Sequence, residues 1–182
     1  MNSAARLTER FDRALVYTAR THRGQRRKGT DTPYMAHLLA VTALVLEDGG
    51  DEDQAIAALL HDAVEDQGGL ERLAEIREMF GERVAEIVDG LSDAYGHPKP
   101  PWRGRKQRYL EHLRQEERPG VLRVSLADKL HNAHDTLRDL RLHGLAAWER
   151  FKGGQEGSLW YYRSLLEIFK QRFDSPMVSE FE

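Results

Sequence analysis

The chain has 182 residues, of which 40% are hydrophobic and 31% charged, and its formal net charge at pH 7 is −3. This nearly balanced charge gives no general attraction to nucleic acid or to anionic membranes, and the absence of cysteine excludes disulfides, thiolate metal sites and a thiol nucleophile. The N-terminus lacks the apolar stretch of a signal peptide, and no apolar run approaches the roughly 20 residues of a bilayer span, so we expect a soluble, cytoplasmic protein.

Apolar residues recur at helical spacing along most of the chain. The spacing predicts a first helix over 4–23, followed by the basic loop GQRRKGTDTPYM, and a second helix over 35–47. Asp51 is the expected N-cap of a third helix, because Gln54 follows three residues later, near the pattern of a capping box. That helix carries ALLHDAVEDQ and is expected to continue to Gly68–Gly69.

The second half of the chain is predicted to be helical as well. LERLAEIREMF and ERVAEIVDGLSDA form two helices separated at Gly81, and YGHPKPPWRG is a turn-rich break. RKQRYLEHLRQEE indicates a polar, exposed helix ended by Pro119–Gly120, and VLRVSLADKLHNAHDTLRDLRLHG indicates a long amphipathic one. After GGQEGS, LWYYRSLLEIFKQRF is the last predicted helix, and the tail over 174–182 is expected to fray. The sequence therefore predicts an all-α bundle of about eight or nine helices in a single domain over residues 1–182.

Four ionisable side chains follow the apolar part of ALLHDAVEDQ, at residues 58–67: His61, Asp62, Glu65 and Asp66. Residues four apart share a helix face, which pairs His61 with Glu65 and Asp62 with Asp66. Burying such groups is costly unless a partner compensates them, and a divalent metal ion would do so. The stretch therefore favours a metal held by His61 and Asp62, although an HD dipeptide alone is common.

Two further residues would complete a ligand set. His37 opens the second helix, and Asp128 lies in the apolar-rich part of the long helix. Two imidazoles and two carboxylates suit Mn²⁺, Fe²⁺ or Zn²⁺ and leave coordination positions for water. The alternative for Asp128 is a surface acid or an ion-pair partner. The remaining histidines are expected at the surface or behind the ligands: His22, His97, His112, His131, His134 and His143.

Three motifs resemble those of a known family: RRKGTDTPYMAH, ALLHDAVED and LADKLHN. A histidine, an HD pair and a downstream aspartate resemble the ligand pattern of HD-domain metal-dependent phosphohydrolases. The three motifs together resemble the hydrolase domain of the RelA/SpoT family and the single-domain small alarmone hydrolases, over residues 5–140. The resemblance implies an all-α enzyme that binds one Mn²⁺ and removes pyrophosphate from the 3′ position of (p)ppGpp. A purified sample could instead hold Zn²⁺, Fe²⁺ or Ni²⁺.

The resemblance also implies a role for each matching residue. Metal ligation is implied for four of them: His37, His61, Asp62 and Asp128. Glu65 and Asp66 resemble the acid pair that orients and activates the attacking water. Arg27 and Lys28 resemble the basic pair near the guanine and the phosphates, and Asn132 resembles a nucleotide-contacting asparagine. An anionic nucleotide is thus the implied partner.

An anionic substrate needs cations, and the sequence offers two basic clusters. The first precedes His37 and consists of Arg23, Arg26, Arg27 and Lys28. The second lies in WRGRKQR and consists of Arg103, Arg105, Lys106 and Arg108. The second cluster could guide the 5′ phosphates. The alternative for either cluster is a solvated basic segment.

Two features depart from the alarmone hydrolases. Those enzymes more often carry a basic and then a hydroxyl residue where this chain has His134 and Asp135, and an acid at Asp135 would repel a phosphate if it faced the pocket. The C-terminal stretch FKGGQEGSLWYYRSLLEIF does not match them. Its aromatic residues Trp160, Tyr161 and Tyr162 are interpreted as core residues. The alternative is that a tyrosine or Arg163 lines the substrate cleft. These departures leave open a phosphohydrolase acting on another nucleotide or phosphate ester, or a sensor that binds metal and nucleotide without turnover.

Overall fold

The computed structural model describes residues 6–93 and 100–182, and within these residues the chain forms helices and no strand. The helices are α1 (Glu9–Thr21), α2 (Met35–Glu47), α3 (Glu52–Leu60), α4 (Ala63–Gln67), α5 (Gly69–Phe80), α6 (Glu82–Leu91), α7 (Trp102–Gln115), α8 (Pro119–His143), α9 (Gly154–Arg172) and α10 (Pro176–Phe181). A 3-10 helix over Gly144–Arg150 joins α8 to α9. The predicted all-α fold class is confirmed. The predicted helix start at Ala4, His97 and the first half of the break YGHPKPPWRG lie outside the described residues.

α3 lies at the centre of the bundle, because every residue on it from Gln54 to Leu60 is buried. It packs against α1, α2 and α6, and α2 also packs against α8. One cluster of buried apolar side chains extends from Ala14 on α1 to Val178 on α10. Burial of an aliphatic side chain stabilises a fold by about 1.5–3 kcal/mol, so this packing holds α2, α3 and α8 firmly against one another. Within residues 6–93 and 100–182, no helix has both the length and the apolar character needed to cross a bilayer.

Two local predictions near the centre are confirmed. α2 has the predicted bounds, and Asp51 caps α3 by accepting a hydrogen bond from the Gln54 backbone N–H at 3.1 Å. Gly50 allows the tight turn between the two helices, since its N–H donates to the Val45 carbonyl at 2.8 Å. A Cβ on Gly50 would lie 2.6 Å from Val45 Cγ1, which is too close for any other residue without rearrangement.

The predicted third helix is broken where a continuous one is expected. α3 ends at Leu60 and α4 begins at Ala63, with His61 and Asp62 in a turn between them. On a regular helix adjacent side chains diverge by about 100°. In the structure the ends of the two side chains nevertheless meet, with His61 Nε2 3.0 Å from Asp62 Oδ2.

Two further predictions are wrong. α7 is not simply exposed, because four of its side chains are buried: Arg105, Tyr109, Leu110 and Leu113. The tail does not fray either, because Ser175 caps α10 by accepting from the Met177 backbone N–H at 3.1 Å. Met177 and Val178 are buried, and the ring of Phe181 meets Phe169 edge to face. The terminal helix therefore completes the core beside α8 and α9.

Candidate metal centre and adjoining cleft

Four side chains converge between α2, the α3–α4 turn and α8: His37, His61, Asp62 and Asp128. His37 Nε2 lies 3.2 Å from Asp128 Oδ1 and 3.7 Å from Asp62 Oδ2. His61 Nε2 lies 3.0 Å from Asp62 Oδ2 and 3.7 Å from Asp128 Oδ1. The ligand atoms of His37, His61 and Asp128 all lie within 4.8 Å of one another, so separate helices present nitrogen and oxygen donors to one small volume.

The two imidazole rings have an environment that suits metal ligands. His37 and His61 are 1% and 3% exposed, and the Nε2 atom of each is buried without a hydrogen-bond partner. His61 Nδ1 lies 2.8 Å from the Ala58 carbonyl, which can only accept, so Nδ1 carries the proton of the neutral ring and Nε2 presents a lone pair. Buried polar atoms without partners are rare, and a cation between these nitrogens and the carboxylates would satisfy them. The donor set fits a divalent metal ion.

The charges around this centre favour a cation. Burial alone would raise the pKa of the Asp128 carboxyl, but the Lys129 ammonium and the two imidazoles hold it well below its usual range. Burial alone would lower the pKa of His61, but Asp62 and Asp128 raise it well above its usual value. Burial lowers the pKa of His37. The carboxylates therefore stay ionised and draw positive charge, either a proton or a metal ion, into the space between them.

Hydrogen bonds from neighbouring side chains fix the two carboxylates. Tyr34 Oη donates to Asp62 Oδ2 at 2.6 Å, and Asn132 Nδ2 donates to Asp128 Oδ1 at 2.6 Å. Lys129 donates to the other oxygen of Asp128. Contacts of this kind orient ligands and raise the affinity of a site for its metal.

His37 contacts two residues outside the predicted ligand set, His131 and Tyr34. His131 Nδ1 lies 2.8 Å from His37 Nδ1, and the ring of Tyr34 meets that of His37 edge to face. Burial and the neighbouring His37 ring lower the pKa of His131 to about 4, so its ring is neutral. Spacing is the sequence feature that could have identified these two residues, because Tyr34 precedes His37 by three positions and His131 follows Asp128 by three.

Glu65 and Asp66, the predicted acid pair, lie in different surroundings. Asp66 Oδ2 accepts a hydrogen bond from Gln25 Nε2 at 2.9 Å, and Asp66 lines the cleft beside the centre. Glu65 Oε1 lies 3.6 Å from Nη1 of Arg105, a buried residue of α7. Both acids are on α4, directly after the turn that carries His61 and Asp62.

A cleft of about 330 Å³ adjoins the centre, and three residues predicted to bind substrate line it: Arg27, Lys28 and Asn132. Arg27 Nη2 donates to Asn132 Oδ1 at 2.7 Å and to Asp135 Oδ2 at 2.8 Å. Lys28 Nζ donates to the backbone carbonyl of Arg150, at the end of the 3-10 helix. Because Asn132 also donates to Asp128, a single amide joins the cleft cation to a candidate ligand.

The second basic cluster is largely engaged within the protein. Arg105 and Lys106 both donate to the buried carboxylate of Asp93, the Lys106 contact measuring 2.8 Å. Arg103 stacks on Trp160, with its guanidinium carbon 3.4 Å from the ring centroid. Of this cluster, Lys106 lines the cavities that continue from the cleft.

The aromatic residues of α9 serve both the core and the cleft. Tyr161 is buried, yet it lines a neighbouring cavity with Tyr162 and Lys106, and its hydroxyl has no hydrogen-bond partner. Arg163 lies elsewhere, in a surface depression with Trp160. The tyrosine alternative from the sequence is therefore the one that the geometry favours.

Comparison with known proteins assigns the chain to a family. A family model described as HD domain matches residues 14–152, which is most of the chain. The chain belongs to the HD-domain family, as the resemblance of its motifs predicts.

Its relatives include proteins of similar and of much greater length. Guanosine-3′,5′-bis(diphosphate) 3′-pyrophosphohydrolase MESH1 from Homo sapiens is 34% identical, and the similarity covers 94% of this chain and 97% of the human protein. A GTP pyrophosphokinase from Streptomyces coelicolor is 39% identical over 72% of this chain, which spans only 15% of that protein. A solved structure of a metazoan ortholog of SpoT, described as hydrolysing ppGpp, has a TM-score of 0.76 and 27% identity, covering 98% of this chain and 94% of that one.

Proposed function

We propose that the protein is a metal-dependent phosphohydrolase that removes pyrophosphate from the 3′ position of (p)ppGpp and leaves GDP or GTP. The observation that carries the proposal is the convergence of two unpartnered imidazole nitrogens and two carboxylates beside a basic cleft. Similarity along nearly the full length of a guanosine-3′,5′-bis(diphosphate) 3′-pyrophosphohydrolase supports the choice of substrate.

One Mn²⁺ is the proposed cofactor, held by four side chains: His37, His61, Asp62 and Asp128. Two nitrogen and two carboxylate donors, with no thiolate, suit this ion. When bound, it would supply positive charge for phosphate oxygens and acidify a water. A purified sample can hold Zn²⁺, Fe²⁺ or Ni²⁺ instead, because raw affinity does not select Mn²⁺.

The proposed role of Glu65 and Asp66 is to orient the attacking water and to accept its proton. A base must lie within hydrogen-bond reach of the proton that it takes. The proposal is supported by the position of both acids on α4, directly after the turn that carries His61 and Asp62, and by the hydrogen bond from Gln25 to Asp66 at the wall of the cleft.

Arg27, Lys28 and Asn132 are the proposed substrate contacts. Guanidinium and ammonium groups form strong, charge-assisted hydrogen bonds to phosphate oxygens. An anionic nucleotide is the one partner proposed. A cytoplasmic location and a single domain over residues 1–182 stay predictions from the sequence.

A product assay with Mn²⁺-loaded protein tests the function. We expect ppGpp to yield GDP and pyrophosphate in equal amounts, with turnover lost on chelation and restored by Mn²⁺. Release of phosphate from another nucleotide, without pyrophosphate from ppGpp, would assign the chemistry to a different substrate. Nucleotide binding without turnover at any metal loading would make the protein a sensor.

One observation favours the alternative of a phosphohydrolase that acts on a different substrate. The Asp135 carboxylate faces the cleft and is bonded to Arg27, so a cation proposed to meet phosphate already has an anionic partner. A phosphate ester with fewer charges than ppGpp would meet less repulsion there.

A further inference from the structure

Asp135 is an acid built into a cleft that is proposed to bind phosphates. Its Oδ2 accepts from Arg27 Nη2 at 2.8 Å, and its Oδ1 lies 2.9 Å from Arg138 Nη2. The Asp135 side chain is 14% exposed, whereas that of Arg138 is 60% exposed, so Arg27 is the partner that shares its partly buried environment. The carboxylate lines both the main cleft and the smaller cavity beside it.

Arg27 is the cleft cation most closely tied to the candidate metal centre. It contacts Asn132, which in turn donates to Asp128, and its guanidinium lies 5.5 Å from the centre of the Tyr34 ring. The same Nη2 atom serves both Asn132 and Asp135. A substrate phosphate that binds Arg27 therefore comes close to the carboxylate of Asp135.

A second ion pair in the cleft repeats this arrangement. Arg150 contacts the buried carboxylate of Asp139, one turn beyond Asp135 on α8. Two of the cleft arginines are thus neutralised by acids of the same helix. Like charges forced together in a partly desolvated site cost binding free energy.

We propose that Asp135 is a specificity-determining residue, which competes with substrate phosphate for Arg27 and so limits the negative charge that the cleft accepts. This inference rests on the proposed function, since it takes the cleft to be the substrate site. Removing the charge of Asp135 frees Arg27 for a phosphate, and the benefit grows with the number of phosphate groups on the ligand.

The test compares wild type with Asp135→Asn, which keeps the side-chain shape, and with Asp135→Ser in case the amide disturbs folding. For ppGpp we expect the KM to fall about tenfold in both variants, with kcat changed by less than about threefold; a charge-assisted contact of this kind is worth on the order of a factor of ten. Calorimetric binding to Mn²⁺-loaded protein should show the largest affinity gain for GDP, a smaller gain for GMP and none for guanosine.

Asp53→Asn is the matched control. Asp53 also bridges two arginines, at 2.8 Å from Arg10 and 3.0 Å from Arg83, but it lies away from the cleft. Asp53→Asn removes the same unit of charge from the protein as Asp135→Asn, so an unchanged affinity for GDP in Asp53→Asn excludes a general charge effect. In an Arg27→Ala background, Asp135→Asn should bring no gain, because the cation for which it competes is gone. Metal content is measured in each variant, since His131 lies 3.9 Å from Asp135 and contacts His37.

Two results would contradict the role proposed for Asp135. If Asp135 only holds Arg27 in place for substrate, both Asp135 variants will raise the KM and weaken GDP binding, and the proposal is overturned. An equal gain for GDP and guanosine also overturns it. Failure of wild type to hydrolyse ppGpp would count against the proposed function alone, because the comparison of GDP, GMP and guanosine needs no turnover.

Discussion

The Nδ1 atoms of His37 and His131 lie 2.8 Å apart, so one imidazole braces another directly behind the candidate metal centre. Only one of the two nitrogens can carry the proton of that contact. The contact holds the His37 ring with its Nε2 towards Asp128. His131 therefore belongs to the support of the centre.

Substitution of His131 by phenylalanine keeps a flat ring and removes the nitrogen. We expect His131→Phe to weaken Mn²⁺ binding by roughly 10- to 100-fold, the range typical of lost supporting contacts. Competition against a fluorescent chelator measures the affinity. His134→Phe is the control, because His134 is a 47% exposed histidine of the same helix. Equal Mn²⁺ affinity in both variants would show that the contact has no role in metal binding.

Substitution of Glu65 by glutamine separates metal binding from turnover. The amide cannot accept a proton from water, so we expect Glu65→Gln to keep full metal content and to lose roughly 10²–10⁴-fold in kcat. Metal analysis and pyrophosphate release on the same preparation give both quantities. A fully active Glu65→Gln protein would mean that the assigned base is wrong.

The Glu116 carboxylate makes the stability of the fold depend on pH. Its side chain is 4% exposed, and it accepts from the Arg118 backbone N–H at 2.9 Å and from that guanidinium at 2.7 and 2.8 Å. Burial alone would raise the pKa of Glu116, but Arg118 lowers it. A folded-state pKa below the unfolded value of about 4.3 stabilises the fold above that pH, and this contribution is lost as the pH falls through the folded pKa.

We therefore expect Glu116→Gln to lower the free energy of unfolding by about 1–3 kcal/mol at pH 7, and by less as the pH falls below about 4. Urea denaturation at several pH values measures this difference. Glu111→Gln is the control, because Glu111 is 59% exposed and its contact with Arg114 is at the surface. A loss for Glu116→Gln that stays constant down to pH 3 would contradict the assignment.

Local sequence patterns are sufficient to locate much of the fold. The bounds of α2 follow from apolar spacing and the glycines after it, and the start of α3 follows from Asp51 and Gln54, because these signals act within one helical turn. α10 could not be predicted from local patterns alone. Ser175 and Pro176 are a typical helix start, but the burial of Met177 depends on packing against α8 and α9. No local sequence pattern predicts the break after Leu60. It coincides with contacts that His61 and Asp62 make with residues distant in the sequence.

The candidate site is likewise only partly predictable from the sequence. Its residue types and motifs single out His37, His61, Asp62 and Asp128, but only the crossing of α2, α3 and α8 brings their donor atoms within reach of one another. The contact of Arg27 with Asp135 joins residues more than 100 positions apart, and the sequence shows the acid without showing which way it faces. The support from Tyr34 and His131 is likewise a tertiary property.

The most direct test of the central claim is the Mn²⁺ stoichiometry of wild type beside Asp128→Ala, measured by elemental analysis after loading and desalting. Wild type should retain one ion per chain, and Asp128→Ala should retain almost none, because the variant removes a buried carboxylate between two imidazoles. Equal retention by a folded Asp128→Ala protein would contradict the claim that these side chains bind a shared ion.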